Sequence, residues 1–221
     1  MIIVLLGAPG AGKGTQAKRI SGSRGFRHVS TGDLLRDAVS RGTELGRQAD
    51  EYMKGGRLVP DDVVLGLVEE VFEDGAGADV ILDGFPRTVP QAEGLDALLE
   101  KRDLKVDCVV FIDITVDEAI RRLSSRVSCS GCGAVYNLLW KPPATEGVCD
   151  ACGGELTRRS DDEPEAIRRR FDEYHVATAP LTDYYRSRGI LRAVDTTRTS
   201  EEIRSDIDAI LDGGCGAEET G

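Results

Sequence analysis

Two groups of residues in this 221-residue chain have the types and spacing for chemistry. Near the start runs Gly7-Ala8-Pro9-Gly10-Ala11-Gly12-Lys13-Gly14-Thr15, and later Cys129, Cys132, Cys149 and Cys152 form two C-x-x-C pairs. The first group is built for phosphate. Its glycines let backbone N–H groups turn inward around anionic oxygens, and a helix beginning near Lys13 adds the positive end of its dipole. Lys13 then reaches the outer phosphates of a nucleoside triphosphate. The usual pattern places a hydroxyl residue directly after the Lys, whereas here Gly14 intervenes before Thr15.

The second group has the spacing of a metal shell. Sixteen residues separate the two pairs, and glycines flank them at 131, 133, 153 and 154. Four thiolates fill a tetrahedral zinc site and leave no open position, so the expected role is structural. Disulfides or iron are the alternatives. Of the other cysteines, Cys108 is expected to pack inside a strand and Cys215 to be an exposed spare thiol without a partner.

Elements must position these groups. Apolar runs at 2–6, 80–82, 109–114 and 190–194, with a weaker one at 26–30, have the continuous hydrophobicity of buried parallel strands. Between them lie helical patterns. Val63, Val64, Leu67, Val68, Val71 and Phe72 follow Pro60-Asp61-Asp62 at helical spacing, and Thr115 to Glu118 reads as a capping box for a helix to about Arg126. Ser200 opens a last helix with Ile203, Ile207, Ile210 and Leu211 on one face. The alternation predicts an α/β fold of the P-loop NTPase type: a five-stranded parallel sheet flanked by helices. Val80-Ile81-Leu82-Asp83 is the strand beside the phosphate loop, and its terminal Asp83 is placed to orient Mg²⁺ through bound water. Capping the turn at Gly84 is the alternative role.

Two stretches break the alternation. Residues 30–59 are polar and helical in tendency, and 127–160 hold the cysteines and Pro142-Pro143. Both are expected to be insertions into a core formed by 1–29, 60–126 and 161–214, leaving 215–221 as a flexible tail. A formal charge of −11 argues against a nucleic-acid footprint, and no apolar run approaches the ~20 residues of a membrane span. Nor does 2–6 read as a secretory signal, so a cytoplasmic monomer is expected. Against 22 Arg stand only 6 Lys, with 22 Asp. Adaptation to salt and a GC-rich genome explain that bias equally well.

Several motifs in order resemble adenylate kinases of the long, zinc-lid form: Gly7 to Gln16, Ser30-Thr31-Gly32-Asp33-Leu34-Leu35-Arg36, Leu82-Asp83-Gly84-Phe85-Pro86-Arg87-Thr88, Arg158-Arg159-Ser160-Asp161-Asp162 and Glu173-Tyr174-His175. The likeness extends to about Asp212. It implies that 30–59 bind AMP and that 127–160 form a zinc-bearing lid over ATP. By the same resemblance Gly10, Ala11, Gly12, Lys13, Gly14, Thr15, Arg122, Arg126, Val135, Tyr136 and Arg198 meet ATP. Thr31, Arg36, Arg57, Leu58, Val59, Gly84, Phe85, Pro86, Arg87, Gln91, Arg159 and Arg170 meet AMP. Lys13, Arg87, Arg126, Arg159 and Arg170 are the expected catalytic cations in direct transfer of a phosphoryl group from MgATP to AMP, giving two ADP.

Physical sense agrees, because two polyphosphates can meet head-on only inside a dense cluster of cations. Arginine suits this with its planar, permanently charged fork. No general base is needed when the acceptor is already an anion, so His28 and His175 are expected to pack or hydrogen-bond. Arg168 and Arg169 are expected on a solvated face. Two rival readings are a kinase for UMP, CMP or GMP, and a non-enzymatic zinc ribbon that binds nucleic acid or a protein. The ribbon explains neither the loop nor the arginines.

Overall fold

The computed structural model describes residues 1–73, 79–196 and 200–215. Its elements run β1 (Ile2–Leu6), α1 (Lys13–Arg24), β2 (Arg27–Ser30), α2 (Thr31–Ser40), α3 (Glu44–Lys54), α4 (Asp61–Glu73), β3 (Val80–Asp83), α5 (Val89–Glu100), β4 (Cys108–Ile112) and α6 (Val116–Ser124). They continue with β5 (Arg126–Cys129), β6 (Val135–Asn137), β7 (Leu156–Thr157), α7 (Pro164–Glu173), α8 (Leu181–Arg186), β8 (Leu191–Val194) and α9 (Ser200–Gly213). A π-helical turn, Tyr174–Thr178, joins α7 to α8.

Five strands form a parallel sheet in the order β2-β3-β1-β4-β8. Its strands read as unbroken apolar runs because both faces are covered. Ile2, Val4 and Leu6 pack with Val68, Leu95 and Tyr185 from α4, α5 and α8. Ile3 and Leu5 point the other way, toward Ala17 and Ile20 of α1 and Ile207 and Leu211 of α9. This is the period of two that buries successive side chains on opposite faces.

The two anomalous stretches stand apart from this sheet. Residues 31–54 fold as the pair α2 and α3, each N-capped by a hydroxyl: Ser30 accepts from Asp33 N, and Thr43 from Gly46 N. Residues 126–157 form a separate antiparallel sheet ordered β6-β5-β7. Its buried cluster is small, centred on Val127, Cys129, Tyr136 and Cys149.

Three expectations need correction. The helix begun by Thr115 ends at Ser124, short of Arg126. Ser125 Oγ donates back to Arg121 O at 2.8 Å, and Arg126 opens β5 instead. β4 runs from 108 to 112 rather than 109 to 114, since the chain turns at Asp113, whose Oδ1 accepts from Ile114 N at 2.9 Å. The largest correction concerns Cys108 and Cys215, which are disulfide-bonded with Cα atoms 5.1 Å apart. Cys215 is 5% exposed, not a spare surface thiol. The reason is tertiary: α9 lies over the face of β4 that bears Cys108, and Arg192 Nη2 holds Cys215 O at 2.6 Å. A cross-link closing ~100 residues contributes ~4–5 kcal/mol on the chain-entropy account.

Candidate active site

β1 and β3 pair with Leu5 opposite Asp83, so the glycine loop leaving one strand and the carboxylate ending the other emerge side by side. Gly7 has φ +147, and a Cβ there would lie 1.6 Å from Ile112 O. Only glycine lets the chain leave β1 so close to β4. At Gly14 a Cβ would meet Asp83 Oδ2 at 3.1 Å. The residue after Lys13 thus sits against the Asp83 carboxylate.

Lys13 Nζ donates to Gly7 O at 2.8 Å and Ala8 O at 2.9 Å, the carbonyls of its own loop. Burial lowers its pKa to about 8 against the pull of Asp83, with Arg87 and Arg170 adding to the decrease. Asp83 Oδ2 lies 3.3 Å from His28 Nε2, so His28 makes a polar contact rather than standing in the path of chemistry. His175 packs against the rings of Phe171 and Tyr174.

Four arginines from separate elements cluster here: Arg87 and Arg170 lie near Lys13, and Arg126 and Arg159 join Arg170 through Asp162 and Asp161. Arg87 sits in the turn after β3, whose Phe85–Pro86 bond is cis. Its Nε donates to Gly84 O at 2.8 Å, its N–H to Gln91 Oε1 at 2.8 Å, and its carbonyl accepts from Thr178 Oγ1 at 2.7 Å. Arg126 opens β5, Arg159 follows β7, and Arg170 lies on α7. Burial lowers the pKa of Arg87 to about 10, with Arg170 contributing, and that of Arg159 to about 10, with Arg126 and Arg36 contributing. These guanidiniums remain charged at neutral pH, and the shifts register how far burial and crowding disfavour that charge.

Two carboxylates hold the cluster together. Asp162, 2% exposed at its side chain, accepts both Nε and Nη2 of Arg126 at 2.8 and 2.5 Å and lies 3.4 Å from Arg170 Nη1. Asp161 lies 3.1 Å from Arg170 Nη1 and 3.3 Å from Arg159 Nε. Burial pushes the Asp161 carboxyl upward, but Arg170, Arg159 and Arg126 outweigh it and hold it below the usual range. Both residues belong to the Arg158–Asp162 motif, whose resemblance implies no role for either. Their adjacency to Arg159 was the available signal.

Other expected site residues are placed unevenly. Thr31 Oγ1 donates to Gly84 O at 2.9 Å, and Arg36 Nη2 pairs with Asp33 at 2.5 Å. Arg57 lies over the Tyr52 ring at 5.1 Å, while Val59 and Phe85 are core residues, able to offer only backbone. Gln91 is 1% exposed, its amide bonded to Asp61 as well as to Arg87. Arg122 pairs with Glu118 at 2.7 Å within α6 rather than with the cluster. Val135 is exposed, but Tyr136 is buried in the small antiparallel sheet, where its hydroxyl accepts from Asp150 N and faces Cys149 Sγ at 3.5 Å. Arg168 and Arg169 are exposed as expected, with Arg169 Nε donating to Gly55 O. Arg198 lies outside the described residues.

The cysteine quartet converges. Sγ atoms of Cys129 and Cys152 are 3.4 Å apart, those of Cys132 and Cys149 3.6 Å, and all four lie within 4.8 Å of one another. A tetrahedral site with ~2.3 Å bonds to zinc spaces its sulfurs by ~3.8 Å. All four are free thiols while Cys108 and Cys215 are bonded to each other, so the donor set fits a metal.

Comparison with known proteins agrees with this arrangement. The family model described as adenylate kinase matches residues 5–190. An adenylate kinase of Archaeoglobus fulgidus is 49% identical over 213 residues, covering 96% of this chain and 98% of its own. That of Thermodesulfovibrio yellowstonii is 49% identical with 96% and 99% covered, and that of Moorella thermoacetica 50% identical with 88% and 90% covered. With a family match over residues 5–190 and about half of the aligned residues identical along nearly the full length, the chain belongs to the adenylate kinase family.

Proposed function

We propose that Lys13, Arg87, Arg126, Arg159 and Arg170 are the catalytic cations of the ATP:AMP phosphotransfer that family membership assigns to this chain. The observation that carries this reading is their convergence from the loop after β1, the turn after β3, β5, the β7–α7 connection and α7 onto one region. Each cation alone has other uses. Together they suit the neutralisation of two phosphate chains brought end to end.

In this mechanism the loop 10–15 holds the donor phosphates through backbone N–H groups, and Lys13 leaves its two carbonyl partners for the outer phosphates. Asp83 would hold Mg²⁺, which when bound would neutralise charge on the donor's outer phosphates. Arg87, its main chain fixed by Gln91 and Thr178 and its Nε by Gly84 O, presents the rest of its guanidinium to the acceptor phosphate. Arg126, Arg159 and Arg170 exchange Asp161 and Asp162 for phosphate oxygens as the lid descends. On this reading 30–59 are the AMP side, with Thr31, Arg36, Arg57 and Gln91 along it. The lid is 127–160, with Val135 toward the donor nucleotide, and the quartet holds zinc. Arg122 turns from Glu118 to ATP on closure. No helix among the described residues is long and apolar enough to cross a membrane.

Crystallography with two adenosines linked through phosphates tests the cluster. The four guanidinium groups are expected within hydrogen-bond distance of the phosphate chain, and side chains turned to bulk solvent would refute the assignment. The pH profile provides a second test. In the empty site Lys13 loses its proton above about pH 8, so kcat/KM for MgATP should fall above that value, approaching tenfold per pH unit. Bound phosphates raise the Lys13 pKa, so kcat should hold to higher pH. The sign for stability is opposite. Folding lowers the pKa, so the penalty for charged Lys13 is complete below about pH 8 and fades as pH rises toward the unfolded value.

A further inference from the structure

We propose that Asp61 sets the base specificity of the acceptor site by fixing which end of the Gln91 amide faces the base. This rests on the reading that Gln91 meets the acceptor base. Asp61 is the first residue of α4, and nothing in the phosphoryl chemistry uses it. Its Oδ1 accepts from Gln91 Nε2 at 2.7 Å, and its Oδ2 accepts from Thr88 Oγ1 at 2.9 Å. Thr88, the N-cap of α5, in turn accepts from Gln91 N at 3.2 Å. On the far side of the amide, Gln91 Oε1 accepts from Arg87 N at 2.8 Å.

These partners admit one orientation. An ionised carboxylate only accepts and a backbone N–H only donates. Turning the amide over would set its oxygen against Asp61 and its NH₂ against the Arg87 N–H, two mismatches at a side chain 1% exposed. Buried mismatches of that kind are expensive, because neither group can recover its bond to water. The amide therefore keeps one N–H on its nitrogen and one lone pair on its oxygen for a ligand, in fixed positions.

Along its N1/N6 edge a 6-amino purine presents an amino donor beside a ring-nitrogen acceptor, which matches that order. On the same edge a 6-oxo purine presents an oxygen acceptor beside a ring N–H, the reverse order. An unanchored glutamine would turn over and accept either base. Asp61 removes that freedom, so discrimination comes from an unfavourable contact with the wrong base as much as from a good one with the right base. Asp61 is thus a positioning residue acting through Gln91.

The test measures kcat/KM for AMP and for its 6-oxo analogue IMP, with MgATP as donor, in the unaltered protein, Asp61→Asn, Gln91→Ala and the double variant. Asn offers either an oxygen or an NH₂ to Gln91, so D61N should lower the AMP/IMP ratio about tenfold. It should have no further effect on the ratio once Gln91 is Ala. A D61N protein that slows both acceptors equally, or shifts the ratio as much without Gln91 as with it, would reduce Asp61 to a helix-end residue and overturn the proposal. If Q91A leaves the ratio unchanged, it is the reading of Gln91 that fails. If Q91A lowers the ratio and D61N does not, the Asp61 role alone fails. Should D61N not fold, Thr88→Val removes the second anchor of the carboxylate and should lower the same ratio, and an unchanged ratio would count against the proposal.

Discussion

Replacing Arg87 or Arg159 by alanine is expected to slow the formation of ADP from ATP and AMP by about 10³- to 10⁵-fold, the range found for an arginine that meets the charge of a transferring phosphoryl group. Gln91 and Thr178 fix the Arg87 main chain, and its Nε is held by Gly84 O, so its guanidinium is already oriented before any ligand arrives. Arg159 is less tied, lying 3.3 Å from Asp161 at the foot of the small sheet. The folded state should tolerate both changes. Burial and neighbouring cations depress the pKa of each group, which marks a charge disfavoured in the empty site. Thermal midpoints are therefore expected to stay within a few degrees of the unaltered protein, separating lost chemistry from lost folding. Lysine at 159 keeps the charge but not the fork, and should recover only part of the rate. Near-normal turnover in R87A or R159A, measured at saturating substrates, would remove both residues from the mechanism.

Stripping metal from the cysteine quartet is the second large effect. The antiparallel sheet has a core of a few side chains, with Val127 and Tyr136 its main non-cysteine members. That is too little to offset the entropy of ordering some thirty residues, each costing ~1–2 kcal/mol in backbone freedom alone. Binding of zinc to four thiolates supplies ~10–16 kcal/mol in zinc-finger peptides. Chelation should therefore melt residues 126–157 while the parallel sheet, built from two separate apolar clusters, keeps its structure. Four of the six cysteines should become reactive to a thiol reagent, because Cys108 and Cys215 are already bonded to each other. Turnover should fall with the lid, since Arg126 opens β5 and Arg159 follows β7. Metal analysis on the purified protein is expected to give one zinc per chain. A protein without bound metal whose four thiols already react freely would end this account.

How much of this was legible beforehand differs from residue to residue. Five strands were found as short apolar runs because a sheet covered on both faces has no polar positions to interrupt it. Lys13 and its glycines were legible as a site because a phosphate loop needs only contiguous residues. The C-x-x-C pairs were legible for the same reason, each being a local knuckle, although only the folded sheet brings the sulfurs within 4.8 Å. Family resemblance puts Tyr136 at the nucleotide, yet its hydroxyl faces Cys149, a contact between residues thirteen positions apart. The end of α6 was placed two residues late because Ser125 closes the helix with its own hydroxyl, a choice that hydrophobic spacing does not report.

From its residues alone, then, this chain specified whatever depends on short-range order: the phosphate loop, the strand and helix pattern, the paired thiols and the family's motifs. Folding decided the pairings across long separations. Cys108 meets Cys215 because α9 crosses β4. Asp161 and Asp162 become the counter-ions of arginines from three elements, and Asp61 becomes the anchor of an amide thirty positions away. The physical reason is common to all three. A charge or a thiol acts over a few ångströms of space, while Cys108 and Cys215, Arg126 and Asp162, and Asp61 and Gln91 are 107, 36 and 30 residues apart along the chain.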